Sequence, residues 1–264
     1  MSLGNRIYED YLKKSRLKYY KELLQTAKKN GYRMVGVLEY YEIIVNGRSS
    51  TDEKILINRH DIDTSPKVAR KLFEIEQSVY GHDGGATYYF RNSTIDKKLI
   101  SEIEEYGYET GYHYEELASI AKKNKLRNRD DVITAMPEIS QLFLADLSWY
   151  RKFTNTKSKT VASHGDFVNT FLQLQSYEIL KDSKVREQSG IILEAYDEVI
   201  TKDIKLRAAD QDELDKFSEK VVGGIIRGVS DIMILTHPRN WEVDFVSNTK
   251  ENLTRLVQGL KYRL

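Results

Sequence analysis

Arg59-His60-Asp61-Ile62-Asp63 is the stretch on which the reading of this chain turns. It follows the apolar run Ile55-Leu56-Ile57 and precedes Thr64-Ser65-Pro66. A short apolar run reads as a buried strand, here Lys54 to Asn58, and a proline suits the first turn of a helix. Two carboxylates therefore stand at the C-terminal end of a strand, where open α/β sheets and barrels place their chemistry. Side chains alternate along an extended chain, so Asp61 and Asp63 face one site, roughly 7 Å apart at the Cα atoms. One carboxylate can hold a metal ion while its neighbour stays free as a base. In the competing reading, Asp63 merely caps the following helix.

Outward from this stretch, apolar periodicity predicts an amphipathic helix over 6–30, stopped by Gly31, then a β-rich segment over 34–45 and a turn at 46–50. Beyond the motif the pattern alternates. Helices are predicted from Pro66 to Gly81, over 94–106, over 129–153 and over 248–262. Strands are predicted at 85–90, 108–113, 160–163, 191–196 and 232–235. Strands alternating with helices imply parallel pairing. The expected fold class is α/β, an irregular (β/α)7-type barrel. It forms a single domain over 33–264, with an N-terminal helical extension over 1–32 packed on it. The loop Gly81-His82-Asp83-Gly84-Gly85 follows a helix and precedes a strand, the wrong order for a phosphate cradle.

The bulk numbers exclude several classes. Charge is balanced, 41 Lys+Arg against 40 Asp+Glu among 264 residues, which predicts no nucleic-acid partner. No cysteine is present, so disulfides, thiolate nucleophiles and cysteine-based zinc sites are excluded. No run reaches the roughly 18–20 apolar residues of a membrane span. The first residues lack the apolar core of a signal peptide, and the expected location is cytoplasmic. The 18 Tyr, 8 Phe and 2 Trp suit either a sugar site or a buried core.

Of five histidines, four fall at ends of predicted strands: His60, His113, His164 and His237. Such ends converge on one face of an α/β barrel. Imidazole with carboxylate is a donor set for zinc or another borderline divalent metal, with cobalt and nickel as alternatives. The reaction class that follows is hydrolysis. His60 alternates with Asp61 and is read as packing behind the site.

On these residues the chain resembles the polysaccharide deacetylase superfamily, metal-dependent carbohydrate esterases, from about Lys54 to Trp241. Arg59-His60-Asp61-Ile62-Asp63 is similar to that family's first motif, which implies Asp61 as catalytic base and Asp63 as metal ligand. Gly107-Tyr108-Glu109-Thr110-Gly111-Tyr112-His113 resembles the motif whose last histidine binds the metal, here His113. Leu235-Thr236-His237-Pro238 resembles the terminal motif, which implies His237 as the acid.

The family's second metal histidine would fall at position 117, which holds Leu117, and its Arg-x-Pro motif is not recognisable. His164, in Ser163-His164-Gly165, is the expected replacement ligand, with Glu115, Glu116 or waters as alternatives. Arg59, Glu115, Glu194, Arg239 and Trp241 are expected at the substrate. For Glu194 a structural pairing stays open, and for Arg239 and Trp241 packing at the rim.

The resemblance implies a hydrolase that removes an acetyl or formyl group from a small or carrier-linked N-acyl sugar in surface-polysaccharide synthesis. The alternatives are a hydrolase of a non-sugar amide and a non-catalytic metal- or sugar-binding member. The N-terminal helix and residues 182–190 suit either a homodimer contact or a lid.

Overall fold

The computed structural model describes residues 6–47, 53–211 and 214–263; the turn expected at 46–50 lies partly outside them. Eight strands form one sheet: β1 Tyr32–Val35, β2 Lys54–Ile62, β3 Thr87–Phe90, β4 Glu109–Tyr114, β5 Thr160–Ser163, β6 Leu193–Glu194, β7 Leu206–Ala209 and β8 Asp231–Thr236. Every ladder is parallel. The order is β6-β5-β4-β3-β2-β8-β7, with β1 also on β2. The sheet curls into a half-barrel with helices between the strands. Among the described residues no ladder joins β6 to β7.

β2 organises this sheet. On one side β8 pairs with Ile55 through His60. A strand has only two edges, so β1, on residues 54–57, and β3, on residues 59–62, share the other edge end to end. At their junction the Gly85 N–H donates to the Met34 carbonyl at 2.8 Å. A Cβ on Gly36 would lie 2.8 Å from Thr87 Oγ1, so this close approach requires glycine.

Period-2 alternation sorts the strand residues onto two faces. Ile55 and Ile57 join Val35, Tyr89, Ala162, Leu193 and Met233 in the core inside the curl. Leu56 and Ile62 join Tyr88, Phe90, Tyr112, Val161 and Ile234 in the larger core under the helices. Helix Leu17–Lys29 belongs to that larger core through Tyr20, Leu23, Leu24 and Ala27.

Four expectations give way. The N-terminal helix breaks at residues 13–16 into a π-helical turn, Tyr8–Leu12, and helix Leu17–Lys29, because the Arg16 N–H docks on the Trp241 carbonyl at 2.7 Å. Residues 37–46 are helical, not extended. Gly36 ends β1, and Val37 and Tyr40, three apart, are the buried pair that fits a helix. The motif Arg59-His60-Asp61-Ile62 lies inside β2, not after it, since β3 extends the ladder to Ile62. Strand β7 was not expected at all.

The outer face of β2 is polar at Asn58 and His60, which requires partners. Glu76, from helix Pro66–Tyr80, provides them. Its carboxylate accepts from Tyr20 Oη (2.5 Å), Asn58 Nδ2 (2.7 Å), His60 Nε2 (2.6 Å) and Tyr88 Oη (2.5 Å), all fully buried. Glu76→Ala removes the acceptor of the buried Tyr20, His60 and Tyr88 donors and leaves Asn58 Nδ2 only Tyr20 Oη at 2.9 Å, a loss of about 3–5 kcal/mol. At about 2–4 °C per kcal/mol this lowers the melting temperature by roughly 10 °C, measurable by calorimetry.

Candidate metal centre

The C-terminal ends of the strands carry a run of chemistry in sheet order: Glu194 on β6, His164 after β5, His113 on β4, Arg91 after β3, Asp61 and Asp63 on and after β2, His237 after β8 and Asp210 after β7. Alternation decides which of them face inward. Arg59 and Asp61 follow Ile55 and Ile57 on the inner face of β2. On β4, Tyr112 and Tyr114 belong to the outer core, so His113 points inward. Gly111 faces inward as well, where a Cβ would meet the Tyr89 ring at 2.6 Å.

Asp61 is clamped by Arg59, whose Nε and Nη2 donate to its two oxygens at 2.8 Å each. Both residues are buried, and the guanidinium lies between the rings of Tyr196 and Tyr89, 4.5 and 5.4 Å from their centroids. Burial pushes the Asp61 carboxyl up. The Arg59 charge, with His113, the Arg59 hydrogen bonds and His237, outweighs this and holds it below its usual range. Asp61 is thus an ionised carboxylate in neutral solution.

Asp63 does not cap the following helix. Ser65 does that, accepting from the Val68 N–H. The Asp63 carbonyl is held by Arg91 Nη1 at 3.1 Å, and its carboxylate turns to the histidines. Oδ1 lies 3.1 Å from His113 Nε2 and 3.6 Å from His164 Nε2. The His113 Nδ1–H donates to the Ala162 carbonyl at 2.8 Å, so a neutral His113 presents a bare Nε2 lone pair to Asp63. A lone pair facing a carboxylate at 3.1 Å requires a cation between them, a proton or a metal. Burial raises the Asp63 carboxyl, but the two imidazoles take it well below its ordinary value.

His164 is 4% exposed, and neither of its ring nitrogens has a hydrogen-bond partner. Nδ1 stands 3.5 Å from Glu115, which is itself paired with Arg91 at 2.8 Å. Burial lowers the His164 pKa, while the charge of Asp63 and the carboxylate of Glu115 raise it to a net value of about 9.

A zinc ion bound at ~2.0–2.1 Å sets neighbouring tetrahedral donors about 3.3 Å apart. The two Asp63 distances bracket that value, and neither His164 nitrogen is committed to a hydrogen bond. The set Asp63, His113 and His164 therefore fits a divalent metal in donor type and in these two spacings. As they stand, among the described residues no group of three or more such side chains is gathered tightly enough to hold a metal ion. Only the contacts centred on Asp63 carry the fit.

Across the centre, the His237 Nδ1–H donates to Asp210 Oδ1 at 2.7 Å, and its backbone N–H donates to Oδ2 at 2.7 Å. Trp241 Nε1 donates to the same carboxylate at 2.8 Å and Asn240 Nδ2 at 3.0 Å. Burial depresses His237, but Asp210, then Asp63 and Asp61, raise it to about 9. Sequence reasoning missed Asp210. Leu206-Arg207-Ala208-Ala209 has no β-branched or aromatic residue and consists of helix-favouring types, and an aspartate after it carries no signal.

The structure brings Asp61, Asp63, His113, His164 and Arg59 together, with Glu115 behind His164. It places other expected substrate residues elsewhere. Glu194 alternates with the inward Leu193 and Ala195 and accepts from the backbone N–H groups of Ser163 (2.9 Å) and Tyr196 (2.5 Å). Arg239 pairs with Asp10 at 2.5 Å. Trp241 is fully enclosed against Tyr20 and Phe217. The contacts of these three residues are with other parts of the chain. His60 packs behind the site, bonded to Glu76 and Thr236.

Comparison with protein-family models, with curated proteins and with solved structures finds no match to this chain.

The metal-free protein should hold both His164 and His237 as imidazolium well above neutrality. Their folded values exceed the ordinary 6.5, so their contribution to stability is complete below about 6.5 and lost as pH rises through about 9. NMR titration of the imidazole C–H resonances checks this. In Asp63→Asn the main charge opposing burial is gone, so His164 should fall to 6.5 or below while His237, held by Asp210, stays well above it.

Proposed function

We propose that this chain is a metal-dependent amide hydrolase of the polysaccharide deacetylase kind, built on an irregular, open (β/α) barrel. In this reading it removes an N-acyl group from an amino sugar. The observation that carries the proposal is His113 Nε2 set 3.1 Å from the Asp63 carboxylate, with His164 at 3.6 Å, beside a clamped, ionised Asp61. A salt bridge alone gives no reason for a second buried carboxylate two residues away, held by its own arginine.

Asp63, His113 and His164 would hold the metal. When bound, it would polarise the scissile carbonyl and acidify water at the site. The remaining steps belong to the chain. Asp61 accepts a proton from the attacking water. Arg59 keeps its carboxylate ionised and fixed in orientation, at some cost in basicity. His237, an imidazolium below about pH 9, gives its Nε2 proton to the departing amine. Asp210 fixes the ring by taking the Nδ1–H, and Trp241 and Asn240 fix Asp210 in turn.

Release of amine from a panel of N-acyl amino sugars tests the roles. Asp61→Asn should retain metal and lose about 10²–10⁴-fold in kcat; unchanged turnover in that variant would remove Asp61 as the base. Activity should decline on the alkaline side as His237 deprotonates. Asp210→Asn removes the charge that raises His237, so this decline should move toward the ordinary histidine value. An alkaline limb at the same pH in both proteins would contradict the acid role.

A further inference from the structure

A cleft of about 580 Å³ opens beside His164. Its walls come from the two ends of the chain: Ile7 and Tyr11 on one side, and Leu256 and Leu260 of helix Phe245–Arg263 on the other. Phe167, just beyond β5, completes it. The volume lies within the roughly 300–1,000 Å³ of small-molecule sites.

The charged groups along the cleft are already paired. Arg6 bonds Asn252 at 3.0 Å and sits 3.7 Å from Asp10. Arg255 pairs with Glu251 at 2.6 Å, and Asp166 with Lys122 at 2.7 Å. What faces the space is hydrocarbon and aromatic, and the walls are unusually open to water: Leu256 is 59% exposed and Leu260 53%. Toward Asp63 the cleft ends at His164, buried, with its ring nitrogens 3.6 Å from Asp63 and 3.5 Å from Glu115. An apolar wall that leads to the buried His164 and Asp63 suits a ligand with a polar head and an extended apolar tail.

Sheet order fixes which side of the amide lies here. The departing amine must be near His237, after β8. His164, after β5, stands on the opposite flank of Asp63, across β4 and β3. The cleft therefore lies on the acyl side.

We propose that this cleft holds an unbranched apolar acyl chain of the substrate, with its carbonyl toward the Asp63, His113 and His164 cluster and its tail between Tyr11 and Leu260. The inference rests on the hydrolase reading and extends the acyl group beyond acetyl or formyl, which would fill little of the space.

Calorimetric titration of the full chain, zinc-loaded, with acetohydroxamate and octanohydroxamate tests it. The octanoyl compound should bind roughly 100-fold or more tightly, because each buried methylene adds to affinity. Leu256→Glu and Leu260→Glu, made separately, should each bring it down toward the acetohydroxamate value. Octanoate should bind the zinc-free protein as well, and less so in either variant. Equal affinity of the two hydroxamates, with no octanoate binding, would overturn the inference and leave the hydrolase reading intact. Octanoate binding without zinc uptake or hydroxamate binding would keep the cleft as a site for apolar chains and overturn the hydrolase reading.

Discussion

One nine-residue strand, β2, sets two faces against each other, and the rest of the molecule answers to that constraint. Its residues from 58 to 61 are Asn, Arg, His and Asp, all buried in the middle of a parallel sheet. Polar groups there are costly unless every one is bonded. Alternation divides the problem. On the outer face, Asn58 Nδ2 and both ring nitrogens of His60 are met by Glu76, Tyr20 and Thr236. The inner pair, Arg59 and Asp61, is met by each other and by two aromatic rings. A slip of one residue in register would exchange the two sets and leave both without partners. The edges of β2 are tied by three strands, β1, β3 and β8, which hold that register.

This arrangement links stability to chemistry through the backbone. The Glu76 network anchors His60 from behind, and Asp61 and Asp63 follow on the other face. Thr236, bonded to His60, is the last residue of β8 and precedes His237. The ring of His237 is then fixed by Asp210, and Asp210 by Trp241, which is buried against Tyr20 of the same outer core. One continuous set of contacts runs from Glu76 to the imidazolium. The inner face has a different character. His164 stands between the carboxylates of Asp63 and Glu115 without a hydrogen bond to either, and Asp63 also faces His113 Nε2 at 3.1 Å.

Much of this was legible in the sequence. Ile55-Leu56-Ile57, Thr160 to Ser163 and Ile232 to Leu235 are apolar runs of strand length, and the structure makes strands of them. The positions of Asp61, Asp63, His164 and His237 near strand ends followed from those runs, and that of His113 from the strand expected at 108–113. The placement of His60 followed from alternation. The losses have physical causes. Residues 37–46 are rich in Val, Ile and Tyr, which favour strands, but Gly36 and the spacing of the buried Val37 and Tyr40 favour a helix. β7 is a half-buried strand at one end of the sheet made of Leu, Arg and Ala, which favour helices, so Asp210 went unseen. Trp241 reads as a rim residue from its neighbours in sequence, whereas its burial depends on Tyr20, more than 200 positions away. The cleft beside His164 joins residues 7 and 260, and no local pattern reports such a meeting.

The central claim is that Asp63, His113 and His164 form one metal site. Zinc titration by calorimetry, on protein purified without a histidine tag, tests it most directly in wild type beside Asp63→Ala, His113→Ala and His164→Ala. One ion per chain in the wild type, lost or weakened at least 100-fold in each variant, is the predicted result. Absence of zinc, cobalt or nickel binding in a folded wild type would contradict the account, and loss in the first two variants alone would remove His164 from the set.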